Sequence, residues 1–268
     1  MKISIIIPNY NKAPFIEDTL TSLLNQSYQD WEAIIIDDGS TDESVSTIKK
    51  FVDKDKRFKL YKRTQKPKGG SVCRNIGLAK SNGEYIMFLD SDDLLSEYCL
   101  ETRINEINEN MKLDFAVFSG GTFYKTIGDS SSTWVPPKKA DYLKLFLAHT
   151  LPWNITSVIW NRNFISSLNG FNENFDRLQD VELHTRALSQ KEINYKVFAG
   201  EPDFYYRIDE TRKVKNPYEF LLIFINSVHK YCEFFSDYLN KNEFNKYHRY
   251  LKGTILASYI TVQNNYDA

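Results

Sequence analysis

The sequence predicts an α/β protein whose mostly parallel sheet is flanked by helices and followed by a C-terminal helical extension. Short apolar runs alternate with helix-period patterns over the first hundred residues, which favours a parallel sheet with right-handed crossovers. Two of these runs end in acidic segments, 37–40 and 90–93, and in such sheets ligands bind outside the carboxyl ends of the strands. From Tyr218 onward, apolar residues recur every three or four positions, which predicts helices.

Four buried strands and the helices between them account for the first hundred residues. Ile16 and Leu20 begin an apolar helical face shortly after Pro14, a residue that is tolerated in the first turn of a helix. Similar apolar faces predict two further helices, at 45–52 and at 72–79. The predicted strands are Ile3–Ile7, Ala33–Ile36, Phe58–Tyr61 and Tyr85–Leu89.

The middle of the chain is less regular. The polar, proline-containing stretch 129–139 is predicted to be a surface loop, and Val181–Leu188 a helix. Pro217 follows a charged stretch at 209–215 and is the best boundary for the helical C-terminal part. Further strands are predicted at Asp114–Ser119 and Thr122–Thr126, on either side of Gly120-Gly121, and at Ser157–Trp160, Tyr195–Phe198 and Asp203–Ile208.

The composition of the chain argues against several classes of protein. Lys and Arg number 34 against 35 Asp and Glu, a formal net charge of -1, which removes the broad electrostatic argument for nucleic-acid binding. Three cysteines do not make a disulfide framework and fit a reducing cytoplasm. We expect no secretory leader at Met1, and the apolar run 220–225 is far shorter than the roughly 20 residues that a membrane span needs.

The two acidic strand ends are the strongest candidates for chemistry. Asp90 and Asp92 stand at i and i+2 in extended backbone, so their carboxylates point to one side and would suit a hard divalent ion that also takes phosphate oxygens. The alternative is a helix-capping cluster ahead of Leu94. Asp38 can accept hydrogen bonds from a base edge or a ribose hydroxyl, and the alternative there is an ordinary turn at Gly39.

A set of motifs in fixed order makes the sequence resemble the family 2 glycosyltransferases, inverting enzymes of the GT-A fold that use nucleotide sugars. The resemblance is dense through about the first hundred residues and then thins to the segment around Asp180 and to Tyr205-Tyr206-Arg207. The motifs are SIIIPNYN at 4–11, LLNQSY at 23–28, IDDGSTD at 36–42, RNIG at 74–77, GEYIMFLDSDD at 83–93 and LQDVEL at 178–183.

The resemblance implies a role for each matching position. It implies a Rossmann-like nucleotide-binding half at 1–93 and an acceptor-binding half at 94–216, together forming a GT-A catalytic domain at 1–216, with the helical extension at 217–268. It also implies a Mn²⁺ or Mg²⁺ ion that bridges the donor diphosphate. The implied contacts are Pro8 and Tyr10 in the nucleobase pocket, Asp38 on uracil or ribose, Arg74 near the base and diphosphate, Asp90 on the ribose with Ser91 beside it in the nucleotide site, and Asp92 on the metal.

Asp180 occupies the position of the family's catalytic base. A carboxylate is needed there because the acceptor hydroxyl must lose its proton as it attacks the anomeric carbon. Its usual glutamate neighbour is Gln179 here, and Asp209 stands where many members carry a histidine near the metal. Asp209 is either a metal ligand or a solvated loop residue. The alternative for Asp180 is a helix N-cap.

The predicted function is transfer of a sugar, with inversion, from a nucleotide sugar (UDP-linked by resemblance) to a glycan or lipid-linked oligosaccharide in bacterial surface polysaccharide synthesis. The predicted location is cytoplasmic, with peripheral attachment at the inner face of the membrane as an option. The C-terminal helices have three interpretations: packing on the catalytic domain, a homodimer interface, or contact with a membrane surface.

Two other functions compete with this prediction. One is a non-catalytic subunit that binds nucleotide sugars for an assembly. The other is a phosphatase of the haloacid-dehalogenase type, with Asp90 as nucleophile and Asp92 as acid/base, although Leu94 stands where that class needs Thr or Val.

Three other features are interpreted conservatively. The charged run with Arg63, Lys66 and Lys68 is typical of a solvated loop, although it would also suit a diphosphate. His184 is expected to be an ordinary histidine rather than an acceptor contact, and Cys73 a small packing residue.

Overall fold

The protein is described by a computed structural model over residues 1–110, 112–209 and 217–266, with side chains described for 1–110, 112–209 and 221–253. The strands are β1 (Ile3–Asn9), β2 (Trp31–Asp37), β3 (Phe58–Lys62), β4 (Tyr85–Phe88), β5 (Leu94–Leu95), β6 (Phe115–Phe118), β7 (Gly120–Phe123), β8 (Thr133–Trp134), β9 (Val158–Asn161), β10 (Tyr195–Phe198) and β11 (Phe204–Arg207). The helices are α1 (Ile16–Leu24), α2 (Ser44–Lys54), α3 (Gly70–Lys80), α4 (Cys99–Glu109), α5 (Tyr142–Leu147), α6 (Arg162–Ser167), α7 (Gln179–Leu188), α8 (Pro217–Tyr238) and α9 (Lys241–Tyr266).

The chain divides into two compact units, each assembled from three segments. The first unit comprises Met1–Lys138, Trp153–Phe171 and Asn194–Asp209, and it contains every strand of the described residues. The second comprises Lys139–Pro152, Asn172–Ile193 and Glu210–Ala268, with helices α5, α7, α8 and α9. The division at residue 216 predicted from the sequence stays a prediction.

A seven-stranded sheet forms the centre of the first unit. Its strand order is β10-β6-β9-β4-β1-β2-β3, and all neighbours pair in parallel except β9, which is antiparallel to both β4 and β6. Every residue of β2 and nearly every residue of β1 is buried, which explains why both strands are predominantly apolar, since helices cover both faces of such sheets. The carboxyl ends of β1, β2, β3 and β4 therefore lie along one edge.

Close packing between α3 and β1 explains one glycine of the α3 motif. A methyl group added at Gly77 would stand 2.3 Å from Cγ2 of Ile6, well inside van der Waals contact. Glycine therefore lets α3 approach the sheet closely, and this places the start of the helix beside the ends of the strands.

The small sheet of the first unit corrects one prediction. Gly120 and Gly121 were expected between two strands, but they are the first residues of β7, which lies between β11 and β8. A Cβ atom would stand 2.2 Å from Cζ of Phe204 at Gly120, and 2.8 Å from the ring of Tyr205 at Gly121. The glycines make room for aromatic rings of the neighbouring strand, and the predicted surface loop at 129–139 supplies the short strand β8.

In the second unit, aromatic side chains are buried between the helices. Tyr231 of α8 is fully buried, and its hydroxyl lies 2.7 Å from the Thr185 hydroxyl of α7. In α9, the Tyr247 hydroxyl donates to Asp141, the residue that caps α5. The apolar stripe of the C-terminal helices is thus buried within this unit at Val228, Cys232, Phe235 and Leu239. Among the described residues, no helix has the length and hydropathy needed to cross a membrane.

Candidate active site

Asp37 closes the turn at the end of β2. Its carboxylate accepts hydrogen bonds from Nδ2 of Asn9 at 2.8 Å and from the backbone N–H groups of Gly39 and Ser40 at 3.2 and 3.1 Å. Gly39 has φ +80°, a left-handed conformation that glycine adopts without strain. Asp37 therefore holds the ends of β1 and β2 together and shapes the acidic corner.

Asp38, the predicted uracil or ribose contact, anchors the loop that follows β3. Its side chain is 8% exposed; one oxygen accepts from Nη1 of Arg63 at 2.6 Å and the other from the backbone N–H of Gly69 at 2.8 Å. The same guanidinium donates to the carbonyls of Gln65 and Pro67 at 2.8 and 2.6 Å. Arg63 is thus buried and stabilises the loop through these hydrogen bonds, so the interpretation of this residue as a solvated charge is wrong.

Tyr10 and Pro8 stand at the end of β1. The Tyr10 ring is 51% exposed, and the ammonium of Lys68 lies 5.0 Å from its centroid. Pro8 is half-buried within the strand. An exposed aromatic ring at the carboxyl edge of a parallel sheet is suited to stacking on a flat base. Lys66 and Lys68 are exposed, as predicted for a solvated loop.

Arg74 joins helix α3 to the end of β4. Its Nη2 donates to the Asp90 carboxylate at 2.6 Å, and its guanidinium carbon lies 5.3 Å from the centroid of the Phe171 ring. The Arg74 side chain is 10% exposed, whereas that of Asp90 is 34% exposed. Ser91 is almost fully buried. Asp90 therefore presents a carboxylate to solvent with its neighbouring guanidinium held in place.

Asp92 is ion-paired with Lys12, a residue that the sequence analysis missed. The Asp92 side chain is 20% exposed and that of Lys12 is 30% exposed. The backbone carbonyl of Asp92 accepts from Nε of Arg207 at 2.9 Å, and Nη2 of that arginine donates to Asp18 at 3.0 Å. Lys12 directly follows the motif that ends at Asn11, so its position beyond the end of β1 was the available signal.

Asp93 is a buried carboxyl beside the two exposed ones. Its Oδ1 accepts from the backbone N–H of Arg207 at 3.0 Å. Burial, and then the negative charges of Asp90 and Asp92, raise the pKa of Asp93 well above its usual range. A raised pKa favours the neutral form of Asp93, so this buried carboxyl adds little negative charge beside Asp90 and Asp92.

The carboxylates at the end of β4 suit a divalent ion that takes some of its ligands from the protein and the others from a bound substrate. Within the described ranges, no group of three or more His, Cys, Asp or Glu side chains is arranged to hold a metal by itself. Asp90 and Asp92 nevertheless offer partly exposed, hard oxygen donors. Mg²⁺-like ions are commonly held by one or two carboxylates together with phosphate oxygens, which is the chemistry available here.

In the second unit, Asp180 is the second residue of α7. The helix N-cap is Leu178, with φ 60°, so the interpretation of Asp180 as the N-cap is wrong. Asp180 is half-buried, while Glu182 is fully buried and paired with Arg186 at 2.7 Å. Burial lowers the pKa of His184 to about 3, so this histidine is neutral at physiological pH, as expected of an ordinary core histidine.

The sequence model for glycosyl transferase family 2 matches residues 4–166, more than half of the chain. The chain belongs to glycosyl transferase family 2. Its similarity to a Haemophilus influenzae protein, described as an uncharacterized glycosyltransferase, extends well beyond the matched residues. The two are 35% identical over 250 residues, which cover 85% of this chain and 97% of the relative. The resemblance predicted from the motifs is confirmed, and the phosphatase alternative is set aside.

A second relative has a defined activity. The poly(ribitol-phosphate) beta-N-acetylglucosaminyltransferase TarP of Staphylococcus aureus is 44% identical over 114 residues, 41% of this chain and 34% of TarP. The chain therefore spans about a third of TarP. A third relative, described as the putative teichuronic acid biosynthesis glycosyltransferase TuaG of Bacillus subtilis, is 37% identical over 107 residues, 40% of this chain and 42% of TuaG.

Solved structures confirm the predicted fold class. TarS 1–349 of S. aureus in complex with UDP-GlcNAc has a TM-score of 0.66 at 20% identity and covers 85% of this chain and 66% of the other. A mannosyltransferase of Pyrobaculum calidifontis, in complex with GDP-Man and Mn²⁺, has a TM-score of 0.64 at 14% identity. The match covers 99% of this chain and 75% of the mannosyltransferase chain. At these identities the likeness establishes the GT-A fold.

The predicted site residues fall into two groups. Asp38, Arg74, Asp90 and Asp92 lie along the same sheet edge of the first unit, as the strand-end argument expects. Asp180 belongs to the second unit, and its approach to the other four stays a prediction.

Proposed function

We propose that this family 2 enzyme transfers a sugar, with inversion, from a UDP-sugar to a glycan or lipid-linked acceptor in bacterial surface polysaccharide synthesis. One observation carries the proposal: a strand-edge row of Asp38, Arg74, Asp90 and Asp92 in a GT-A fold, with an exposed aromatic ring beside it. The activity of TarP supports the acceptor class, and the UDP-GlcNAc bound to TarS supports the donor class.

The nucleoside is assigned to the end of β1 and β2. The exposed ring of Tyr10 provides a stacking surface for the base, and Pro8, half-buried at the same end of β1, is assigned to the same pocket. Asp38 uses one lone pair of each oxygen on Arg63 and Gly69, and a carboxylate has about four acceptor sites, so it can accept a further bond from uracil or ribose. Arg74, already held by Asp90, supplies positive charge next to the diphosphate.

The diphosphate is assigned to the end of β4. Asp92, with Asp90 and Ser91 beside it, would hold a Mn²⁺ or Mg²⁺ ion. When bound, such an ion neutralises the negative charge that grows on the departing nucleoside diphosphate. Asp90 is also available to a ribose hydroxyl because a third of its side chain is exposed.

Asp180 is proposed as the general base. In the transfer, its carboxylate accepts the proton of the acceptor hydroxyl while that oxygen forms a bond to the anomeric carbon and the bond to the nucleoside diphosphate breaks. One displacement inverts the anomeric centre, and no second carboxylate nucleophile is needed. Asp180 is the better candidate on α7 because Glu182 is buried in its ion pair with Arg186.

The test is a screen of nucleotide sugars followed by one substitution. UDP-, GDP- and dTDP-sugars are compared by thermal shift with Mn²⁺, because a bound ligand stabilises the fold by mass action. Asp180→Asn is then expected to lower transfer or hydrolysis of the preferred sugar by about 10²- to 10⁴-fold while UDP binding persists. Asp176→Asn, an exposed carboxylate nearby in the same unit, is the matched control.

Two outcomes contradict the proposal. If Asp180→Asn retains wild-type turnover, Asp180 is not the base. If the wild-type protein binds UDP but neither transfers nor hydrolyses any sugar, the non-catalytic subunit is the better description.

A further inference from the structure

Lys12 places a positive charge on the carboxylate to which the proposed function assigns the metal. Its ammonium is ion-paired with Asp92, and both side chains are partly exposed, at 30% and 20%. The pair joins the loop after β1 to the loop after β4, which are separated by 80 positions in sequence. The Asp92 carboxylate is thus the partner of the Lys12 ammonium and also the proposed ligand of a divalent ion.

The base of the Lys12 side chain is held firmly. The backbone N–H of Lys12 donates to the Ser44 hydroxyl at 2.8 Å, and that of Ala13 donates to the Asp42 carboxylate at 2.9 Å. The carbonyl of Lys12 accepts from the N–H groups of Phe15 and Ile16, both at 2.9 Å. The backbone is therefore fixed and the flexible four-carbon chain is free to move its ammonium.

The neighbouring arginines are engaged differently. Arg74 is bonded to the Asp90 carboxylate, and Arg207 to the Asp18 carboxylate and to the carbonyl of Asp92. Both guanidinium groups lie over aromatic rings, Phe171 for Arg74 and Phe123, at 4.4 Å, for Arg207. Arg74 therefore pairs with one of the carboxylates at the end of β4, whereas Lys12 pairs with Asp92, the residue predicted as the metal ligand, through an ammonium on a flexible side chain.

We propose that Lys12 is a tethered counter-ion that competes with a divalent cation for Asp92. The inference rests on the proposed function for the metal role of Asp92. A cation that binds there must displace the ammonium, because two positive charges on one carboxylate repel each other. The nucleotide-free protein therefore has a weakened affinity for the metal, and the displaced ammonium becomes available to a diphosphate, for which lysine is a suitable point charge.

The test measures Mn²⁺ binding to the nucleotide-free protein, from the electron paramagnetic resonance signal of free Mn²⁺ at low ionic strength. Lys12→Gln is expected to bind Mn²⁺ about two- to five-fold more tightly than wild type, the range that a partly exposed ion pair allows. Lys49→Gln, which removes one exposed lysine of α2, is the control for net charge. Thermal unfolding of each variant verifies that the fold is intact.

A second pair of variants tests whether the change in Mn²⁺ affinity depends on Asp92. In the Asp92→Asn background, Lys12→Gln is expected to leave Mn²⁺ affinity unchanged, because the shared carboxylate is gone. Unchanged or weaker Mn²⁺ binding by Lys12→Gln overturns the proposal, and so does an equal gain with Lys49→Gln or in the Asp92→Asn background.

The two proposals fail separately. Tighter Mn²⁺ binding by Lys12→Gln, in a protein that transfers no sugar, refutes the proposed transferase function and leaves the competition in place. Sugar transfer, with Mn²⁺ affinity unaffected by Lys12→Gln, refutes the competition alone.

Discussion

Asp38→Asn is expected to lower the free energy of unfolding of the protein even when no ligand is bound. The substitution removes the charge that faces Arg63, and the two side chains are only 8% and 7% exposed. The Asp38 carboxylate bonds Arg63 at 2.6 Å and Gly69 at 2.8 Å, and an asparagine oxygen can replace only part of this pairing. Breaking a buried pair while leaving the other charge in place costs roughly 3 to 5 kcal/mol.

The measurement for Asp38→Asn is urea unfolding followed by circular dichroism. The variant should unfold with a lower urea midpoint, with a loss of about 3 kcal/mol in the free energy of unfolding, since arginine keeps its two carbonyl partners. Asp53→Asn, at an exposed position of α2, is the control. A loss below about 1 kcal/mol, the level of an exposed pair, refutes the reasoning and returns Asp38 to a role in ligand binding alone.

Two other substitutions test the packing and the buried histidine. Gly77→Ala should destabilise by about 1 to 3 kcal/mol in thermal unfolding, because the new methyl group meets Ile6 at 2.3 Å; an unchanged melting temperature contradicts the packing argument. His184, with its pKa lowered to about 3 by burial, stabilises the fold fully above the unfolded value of 6.5 and loses that contribution as the pH falls towards 3. Between pH 7.5 and 5, His184→Gln should therefore lose about 2 kcal/mol less unfolding free energy than wild type, and equal losses in urea titrations at the two pH values contradict this.

The parallel sheet was predictable because its strands are buried on both faces. Residues 3–7, in which Ser4 is the one polar residue, and residues 33–36 are apolar runs, and such runs followed by helix-period patterns are typical of a parallel sheet. The acidic strand ends followed from the same argument, since carboxyl ends of parallel strands share an edge. Asp38, Asp90 and Asp92 are accordingly where the sequence placed them.

The missed features depend on contacts between distant parts of the chain. Gly120 and Gly121 resemble a turn in sequence, and only the rings of Phe204 and Tyr205 explain their place in a strand. Arg63 sits in a charged run, so local composition favours a solvated loop, whereas its partner Asp38 lies 25 positions away. Lys12 offers only its position after the first motif as a sequence signal, and its pairing with Asp92 arises from the folded loops.

The segmented organisation of the two units has a consequence for how the protein is made. Strands β10 and β11 lie at 195–207, so a ribosome must release more than 200 residues before the first unit has all its strands. Until then β6 lacks its parallel neighbour and β7 lacks β11, and both expose strand edges that can pair with another chain. Expression of fragments that end before β11 is complete is therefore expected to yield aggregates, and useful truncations of the first unit must retain β11.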